Sequence, residues 1–587
     1  MPRSLRNAAA AAVAVLVLCA SQLTHAYELD PQSTDSIKDV AKQLAADLMS
    51  MYNGDQPGQV PGLLPPPYYW WEAGALMGAL VDYWYYTGDT TYNNITQQGL
   101  LHQVGPYNDF MPPNQTLTEG NDDQGFWGMA AMSAAEYNFQ NPEPDKPQWL
   151  ALAQAVFNTQ AARWDTEHCN GGLRWQIFTW NNGFNYKNSI SQACFFNLAS
   201  RLALYTGNST YADWAVKTWD WMTAVGFIDK SYRIYDGAAV EQNCTKITPY
   251  EFSYNVGAFL LGAAAMVEYS NKAGEANNAA RWHERVDGLL NSTEAIFFFG
   301  KDTDTKIMIE IACEQVNLCD VDQQSFKAYL SRWMAATTKW APWTFSRVKT
   351  LLRNSAVAAV KQCTGGDNGR MCGLKWANNS GAWDGTMGVG QQMAAMEVVL
   401  ANMIEQAAEP LTDGTGGTSA GDPSAGGSDD GRVDPVGWHY GPIRNGDRVG
   451  AGFVTFFILA ALLAALVFVL SDDIGESYFL ERSSQFAAQG NTAAAHGEKA
   501  EKGKGIADEE SPGTTTTTIA DTPVDAAVVS PPKQIPRRKP LSGSSITPPQ
   551  SPGGDASNIP GPSSPHAQRD FAYKGPRDPR ENRRGRL

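Results

Sequence analysis

Two carboxyl side chains stand next to each other at Asp122 and Asp123, in the run EGNDDQGFWG over residues 119–128. A reaction that needs both a nucleophile and a proton donor needs two acids in different protonation states. An adjacent pair at a helix start can supply them, because the helix N-terminus favours the ionised form of one while mutual repulsion raises the pKa of the other. Neighbours within a helix diverge by about 100°, so both can face one cleft only at a loop-to-helix junction, which Gly120 and Gly125 loosen. The competing role for Asn121, Asp122 and Asp123 is to cap the helix that follows. Other chemistries find little support in the chain. Its seven His are scattered, none forms an H-x-x-x-H motif, and no Cys pair has zinc spacing. No Gly loop with a Lys cradles a phosphate, and G-x-S-x-G is absent. A carboxylate-only mechanism calls for no metal and no cofactor.

The elements that must position this pair read as helices. Residues 73–86, 125–137, 190–205, 256–269, 326–337 and 388–404 are runs of Ala, Leu, Met and aromatics at three-to-four spacing, and no comparable strand series occurs. Two runs end alike, YYTGDTTY at 85–92 and LYTGNSTY at 204–211, each with Gly as a helix stop after the last apolar residue. Their offset of 119 residues corresponds to two helical hairpins of about 60 residues each. Six such hairpins fill 27–409. Inner helices rich in Ala and Gly, alternating with charged segments such as 275–290, suit an all-α (α/α)6 toroid; a helical solenoid is the rival architecture.

Polar and aromatic clusters recur at the inner-helix starts: YYWWEAG at 68–74, the NDDQ run, GGLRWQIFTWNNGFNYKNSIS at 171–191 and YEFSYNVGAFLLGA at 250–263. Together with CEQVNLCDVDQQSFKAYLSRW at 313–333, a mark of a fungal subgroup, they resemble glycoside hydrolase family 76 over about residues 27–407. The similarity is to fungal wall proteins of the mannan endo-1,6-α-mannosidase type. It implies an (α/α)6 fold and retaining attack on α-1,6-mannosidic bonds, with Asp122 as nucleophile and Asp123 as acid/base. Retention requires the two carboxyls to lie about 5–5.5 Å apart. Trp70, Trp71, Trp127, Trp175, Tyr186 and Tyr254 are candidates to stack on sugar faces, with a place in the core as the alternative for each. Glu72, Asn188 and Asn255 are candidates to hydrogen-bond hydroxyls, and Asp236 in YDGA is a further cleft candidate; helix capping is the alternative. One departure from the fungal pattern is Phe252, where Trp is usual.

Residues 1–26 have the form of a secretory signal peptide, with Arg3 and Arg6, an apolar run from Ala8 to Ala20, and small residues at Thr24 and Ala26. A second apolar run, 450–470, has 21 residues without a charge and is long enough to span a bilayer. A cleaved signal and one later span imply a type I membrane protein, with 27–449 outside and 471–587 in the cytoplasm. The segment 410–449 reads as a flexible Gly/Ser/Asp linker, and the Ala-, Thr-, Ser- and Pro-rich tail 471–587 as disordered. The tail carries no net charge and the signal carries +2, so with −16 on the whole chain residues 27–470 carry −18; the acidity belongs to the exterior domain, which excludes nucleic acid as a partner. Six N-x-S/T acceptors, at Asn94, Asn114, Asn208, Asn243, Asn291 and Asn378, all fall in that domain. Once Cys19 leaves with the signal, seven Cys remain, an odd number. Cys194, inside an apolar helical run, is the candidate for a buried free thiol, while Cys313 with Cys319 and Cys363 with Cys372 are spaced to close short loops.

The functional expectation is an endo-acting glycosidase or transglycosidase of fungal cell-wall biogenesis. Its substrates would be α-1,6-mannan or lipid-anchor glycans, with wall polysaccharide as acceptor in the transfer case. The alternative from another class is a catalytically idle glycan receptor whose tail signals inward.

Overall fold

The computed structural model describes residues 27–378, 381–426, 446 and 448–468. The signal-peptide and cytoplasmic-tail assignments therefore lie outside the described residues. Among those residues the helical domain contains twelve α-helices of ten residues or more: α1 (Thr34–Met49), α2 (Trp70–Thr87), α3 (Asn93–His102), α4 (Asn121–Glu136), α5 (Trp149–Ala162), α6 (Ser189–Thr206), α7 (Ser209–Ala224), α8 (Ser253–Lys272), α9 (Ala276–Phe297), α10 (Phe326–Trp340), α11 (Phe345–Lys361) and α12 (Val389–Leu400). The apolar runs of the sequence fall on the even-numbered helices. Gly88 and Gly207 do stop α2 and α6, each in the left-handed conformation, at φ 74° and 70°.

The even-numbered helices are the inner layer. Helices α2, α4, α6, α8, α10 and α12 each pack on the next in that order, and α12 packs back on α2. Burial separates the layers. Every residue of α12 and nearly every residue of α6 is buried, whereas α7 and α9 bury one face only. Small residues permit the inner helices to approach closely: a Cβ added to Gly125 on α4 would lie 2.5 Å from Cβ of Cys194 on α6. Strands are few and short. β1 (Tyr186–Asn188), β2 (Gly237–Ala239) and β3 (Ile247–Thr248) form an antiparallel sheet, with Tyr186 opposite Ala239 and Asn188 opposite Gly237.

Three disulfides close loops, Cys313–Cys319, Cys363–Cys372 and Cys169–Cys244, and Cys194 is a buried free thiol. The two short-range pairs and the free thiol are those expected from spacing. The third joins residues 75 apart in sequence, which spacing does not indicate.

The structure corrects one boundary. The segment from 410 was expected to be a flexible linker, yet its first part lies against the domain as a strap. The Leu411 amide donates to the Glu136 carbonyl at 2.7 Å, Leu150 N–H donates to Ser419 Oγ at 2.9 Å, and Asp422 N–H donates to Gln154 Oε1 at 2.6 Å. Packed chain thus continues to Gly426, because the strap's backbone and hydroxyl groups find partners at the end of α4 and along α5, where Asn158 Nδ2 donates to the Ala425 carbonyl at 2.8 Å. The remainder of the linker, apart from residues 446, 448 and 449, lies outside the described residues. A separate helix, Arg448–Phe468, has 21 residues with mean hydropathy 2.6 and none of it buried. It is long and apolar enough to cross a membrane; residues 469 and 470 of the expected span are not described.

Candidate active site

A cleft of about 570 Å³ opens where the first turns of α2, α4, α6, α8 and α10 come together. Trp70 and Trp71 begin α2, Asp122 and Asp123 occupy the first turn of α4, and Asn188 caps α6. Phe252 and Tyr254 flank the start of α8, and Asp322, Gln323 and Phe326 lead into α10. Parallel inner helices leave their unsatisfied N–H groups at one end of the bundle, and that end attracts carboxylates.

The aspartate pair is built around Gly120, the N-cap of α4 at φ −103° and ψ 166°. Asp122 Oδ2 accepts from Asn188 Nδ2 at 2.8 Å, and its Oδ1 accepts from the Asp123 amide at 3.1 Å. Asp123 Oδ2 accepts from the Gly120 amide at 2.5 Å, so Asp123 caps its helix and faces the cleft at once. A Cβ placed on Gly120 would sit 2.3 Å from Asp122 Oδ1 and 2.8 Å from Asp123 Oδ2, so these two oxygens are at most about 5.1 Å apart. The backbone beneath them is held rigidly. Asn121 N–H donates to the Trp175 carbonyl at 2.8 Å, its Nδ2 donates to the Arg174 carbonyl at 2.8 Å, and Arg163 Nε donates to its Oδ1 at 2.8 Å.

Both carboxyls are pushed toward the protonated form. Burial raises Asp122 to about 7, against the Asn188 and backbone hydrogen bonds that favour its ionised form. Asp123 is raised well above the carboxylate range by burial and then by the charge of Asp122, with only the Gly120 N–H opposing. The better-solvated anion of the pair is therefore Asp122. The buried Cys194 thiol, raised by its own burial and next by the two aspartates, lies behind them.

Of the sequence candidates, Trp70, Trp71, Trp175, Tyr186, Asn188, Asp236 and Tyr254 line the cleft with the aspartates. Tyr186 donates its hydroxyl to Asp236 Oδ2 at 2.6 Å, and Tyr254 stacks on Phe326 with centroids 3.7 Å apart. Phe252, the departure from the fungal pattern, also lines it. Three candidates do not line it. Trp127 is wholly buried, stacked on Trp70 at 5.3 Å and Phe110 at 5.5 Å, because five residues along the helix from Asp122 it points about 140° away. Glu72 is fully buried and accepts from the Tyr69 amide at 2.9 Å, which makes it the capping partner of α2. Asn255 is buried in the first turn of α8. The six sequon asparagines are all exposed. At Asn208, Asn243 and Asn291 the side-chain oxygen is engaged by Thr210 N–H, Cys169 N–H and Arg347 respectively.

Sequence reasoning missed Asp320, Asp322, Gln176, Asn181 and Asn182, which also line the cleft. Asp322 Oδ1 accepts from Trp71 Nε1 at 2.9 Å, and burial raises its carboxyl to about 6. The segment 313–333 carried a usable signal in its D-x-D spacing before a helical run. Among the described residues no cluster of His, Cys, Asp and Glu has metal-site geometry.

The model for "Glycosyl hydrolase family 76" matches residues 36–414. Mannan endo-1,6-alpha-mannosidase DCW1 of Saccharomyces cerevisiae is 43% identical over 456 residues, 77% of this chain and 97% of that protein. The putative mannan endo-1,6-alpha-mannosidase C970.02 of Schizosaccharomyces pombe is 45% identical over 402 residues, 68% of this chain and 88% of that protein. The crystal structure of Dfg5 from Chaetomium thermophilum in complex with glucosamine superposes with a TM-score of 0.65 at 49% identity, covering 69% of this chain and 98% of that one. A helical domain, a paired-carboxylate cleft and a family match across nearly the whole domain converge on one assignment: the chain is a glycoside hydrolase of family 76.

Proposed function

We propose that the protein is a retaining, endo-acting glycosidase or transglycosidase of α-1,6-linked mannan, serving the fungal cell wall. The observation that carries this reading is that the Asp122 and Asp123 oxygens lie no more than about 5.1 Å apart around Gly120, too close to seat the water that inversion places between carboxyls about 6.5–9.5 Å apart. An oxygen of Asp122 attacks the anomeric carbon as the bond to the leaving oxygen breaks, and Asp123 gives its proton to that oxygen. Asp123, now a carboxylate, takes a proton from water or a sugar hydroxyl, whose oxygen then displaces Asp122. Asn188 orients Asp122 and holds it in the more ionised state, while Trp71, Trp175 and Tyr254 offer faces to the pyranose rings.

The cyclic packing order of the six inner helices supports an (α/α)6 toroid over a solenoid, since α12 returns to α2. The names of the fungal relatives support α-1,6-mannan as donor; lipid-anchor glycans are the alternative donor, and wall polysaccharide is the acceptor if transfer prevails. The Arg448–Phe468 helix supports a type I anchor at the membrane or wall face. The test is incubation of the full-length protein with α-1,6-manno-oligosaccharides. Shorter products with initially α-configured ends support retaining hydrolysis, and additional longer products support transfer. Initially β-configured ends reject retention, and unchanged substrate with measurable binding identifies the idle receptor.

A further inference from the structure

A second cavity, of about 560 Å³, lies outside the cleft between α11, the N-terminal Pro31–Gln32 and the loop around Trp376. Its walls hold polar groups with nothing to bind. Gln362 is fully buried, and neither its Oε1 nor its Nε2 has a protein partner; Trp376 is 2% exposed, and its indole N–H is likewise unpartnered. Burying such groups unsatisfied costs about 1–3 kcal/mol each, so their retention beside a cavity points to something they bind.

The charges at the mouth narrow the chemistry. Helix α11 carries four basic residues, Arg347, Lys349, Arg353 and Lys361. Arg347 is paired with Glu294 and Lys349 with Glu405. Arg353 and Lys361 line the cavity, and among the described residues neither lies within ion-pair distance of a carboxylate. Two cations without an ion pair thus stand beside an indole donor and a carboxamide. Eight residues of helix separate them by about 12 Å, a span that suits a sugar bearing a charged substituent. The site is rich in donors, with Asp304 as the acid among its lining residues. We infer that this cavity is an accessory site for an anionic glycan, binding a phosphorylated sugar through Arg353, Lys361, Gln362 and Trp376. The cations take the phosphate oxygens and the carboxamide takes a hydroxyl. None of these residues belongs to the cleft, so the inference stands apart from the proposed reaction.

The experiment is calorimetric titration of the full-length protein with mannose 6-phosphate, mannose and inorganic phosphate at low ionic strength, repeated on Arg353→Glu/Lys361→Glu and on Gln362→Leu. The charge-reversed pair is exposed and leaves the fold intact; activity on neutral α-1,6-manno-oligosaccharide reports that. The expected result is binding of the sugar phosphate at least tenfold tighter than of mannose or phosphate alone. Charge reversal should weaken it tenfold or more, and Gln362→Leu severalfold, with turnover of the neutral substrate unchanged. Undiminished binding in the charge-reversed variant, equal affinity for inorganic phosphate, or no saturable binding at millimolar concentration would each overturn the inference.

Discussion

Replacing Gly120 with Ala isolates the geometry of the aspartate pair from the fold around it. The backbone at Gly120, φ −103° and ψ 166°, is one that alanine adopts freely, so no conformational strain opposes the change. A compatible Gly-to-Ala change even stabilises by about 0.4–1 kcal/mol through the unfolded chain. The new methyl would instead meet Asp122 Oδ1 at 2.3 Å and Asp123 Oδ2 at 2.8 Å, with the Trp175 carbonyl at 3.0 Å. Relief to ordinary contact requires each carboxylate to swing by about 1 Å, which also breaks the Asp123 bond to the Gly120 amide. A misplacement of that size costs about 100-fold in rate, or about 2.7 kcal/mol of barrier. The measurement pairs reducing-end release from α-1,6-manno-oligosaccharide with thermal unfolding of the same preparation. The expected outcome is a loss of two orders of magnitude in kcat/KM with a Tm within a few degrees of the parent. A folded Gly120→Ala protein with near-parental turnover would refute the claim that these two oxygens do the chemistry from this position.

Asn188→Ala removes the hydrogen bond that favours ionised Asp122; since the nucleophile must be charged, activity is lost as pH falls, and the acid limb of kcat/KM should move upward from about 7. Asp122→Asn should abolish turnover of every substrate, whereas Asp123→Asn should retain glycosylation by an activated aryl mannoside and regain turnover with azide; the reverse pattern would exchange the roles. Because the folded-state pKa of Asp122 is raised above its unfolded value, its protonated form contributes stability that is complete below about 4 and lost as pH rises through about 7. Asp122→Asn should accordingly raise Tm at pH 8 and leave it unchanged near pH 4, as calorimetry at the two pH values would show. Trp127→Ala should destabilise by about 3–5 kcal/mol in denaturant titration, while Trp175→Ala, on a ring 38% exposed, should leave stability nearly intact and raise KM.

The helical class, the inner runs and the Gly88 and Gly207 stops were all legible in the chain, because apolar spacing and the left-handed preference of glycine act over a few residues. The aspartate pair was legible for the same reason: a loop-to-helix junction is a local feature, and the family motif surrounds it. What the sequence could not decide was direction. Trp127 and Trp175 have equal claims as aromatic residues near the pair, yet one is sealed between Trp70 and Phe110 and the other stands at the cleft. Glu72, Asn188 and Asn255 all stand at inner-helix starts, Asn188 as the N-cap and the other two within the first turn, and of these only Asn188 reaches Asp122. Asp322 joins the site through Trp71, 251 residues away, and Cys169 meets Cys244 across 75. The strap 410–426 has the composition of a free linker, but the end of α4 and the outer face of α5 supply its hydrogen-bond partners. Composition and period determine which segments become helices and which faces are apolar; only closing the inner helices against one another determines which side chains share the space at their N-termini, since that depends on the rotation of each helix against neighbours distant in the chain.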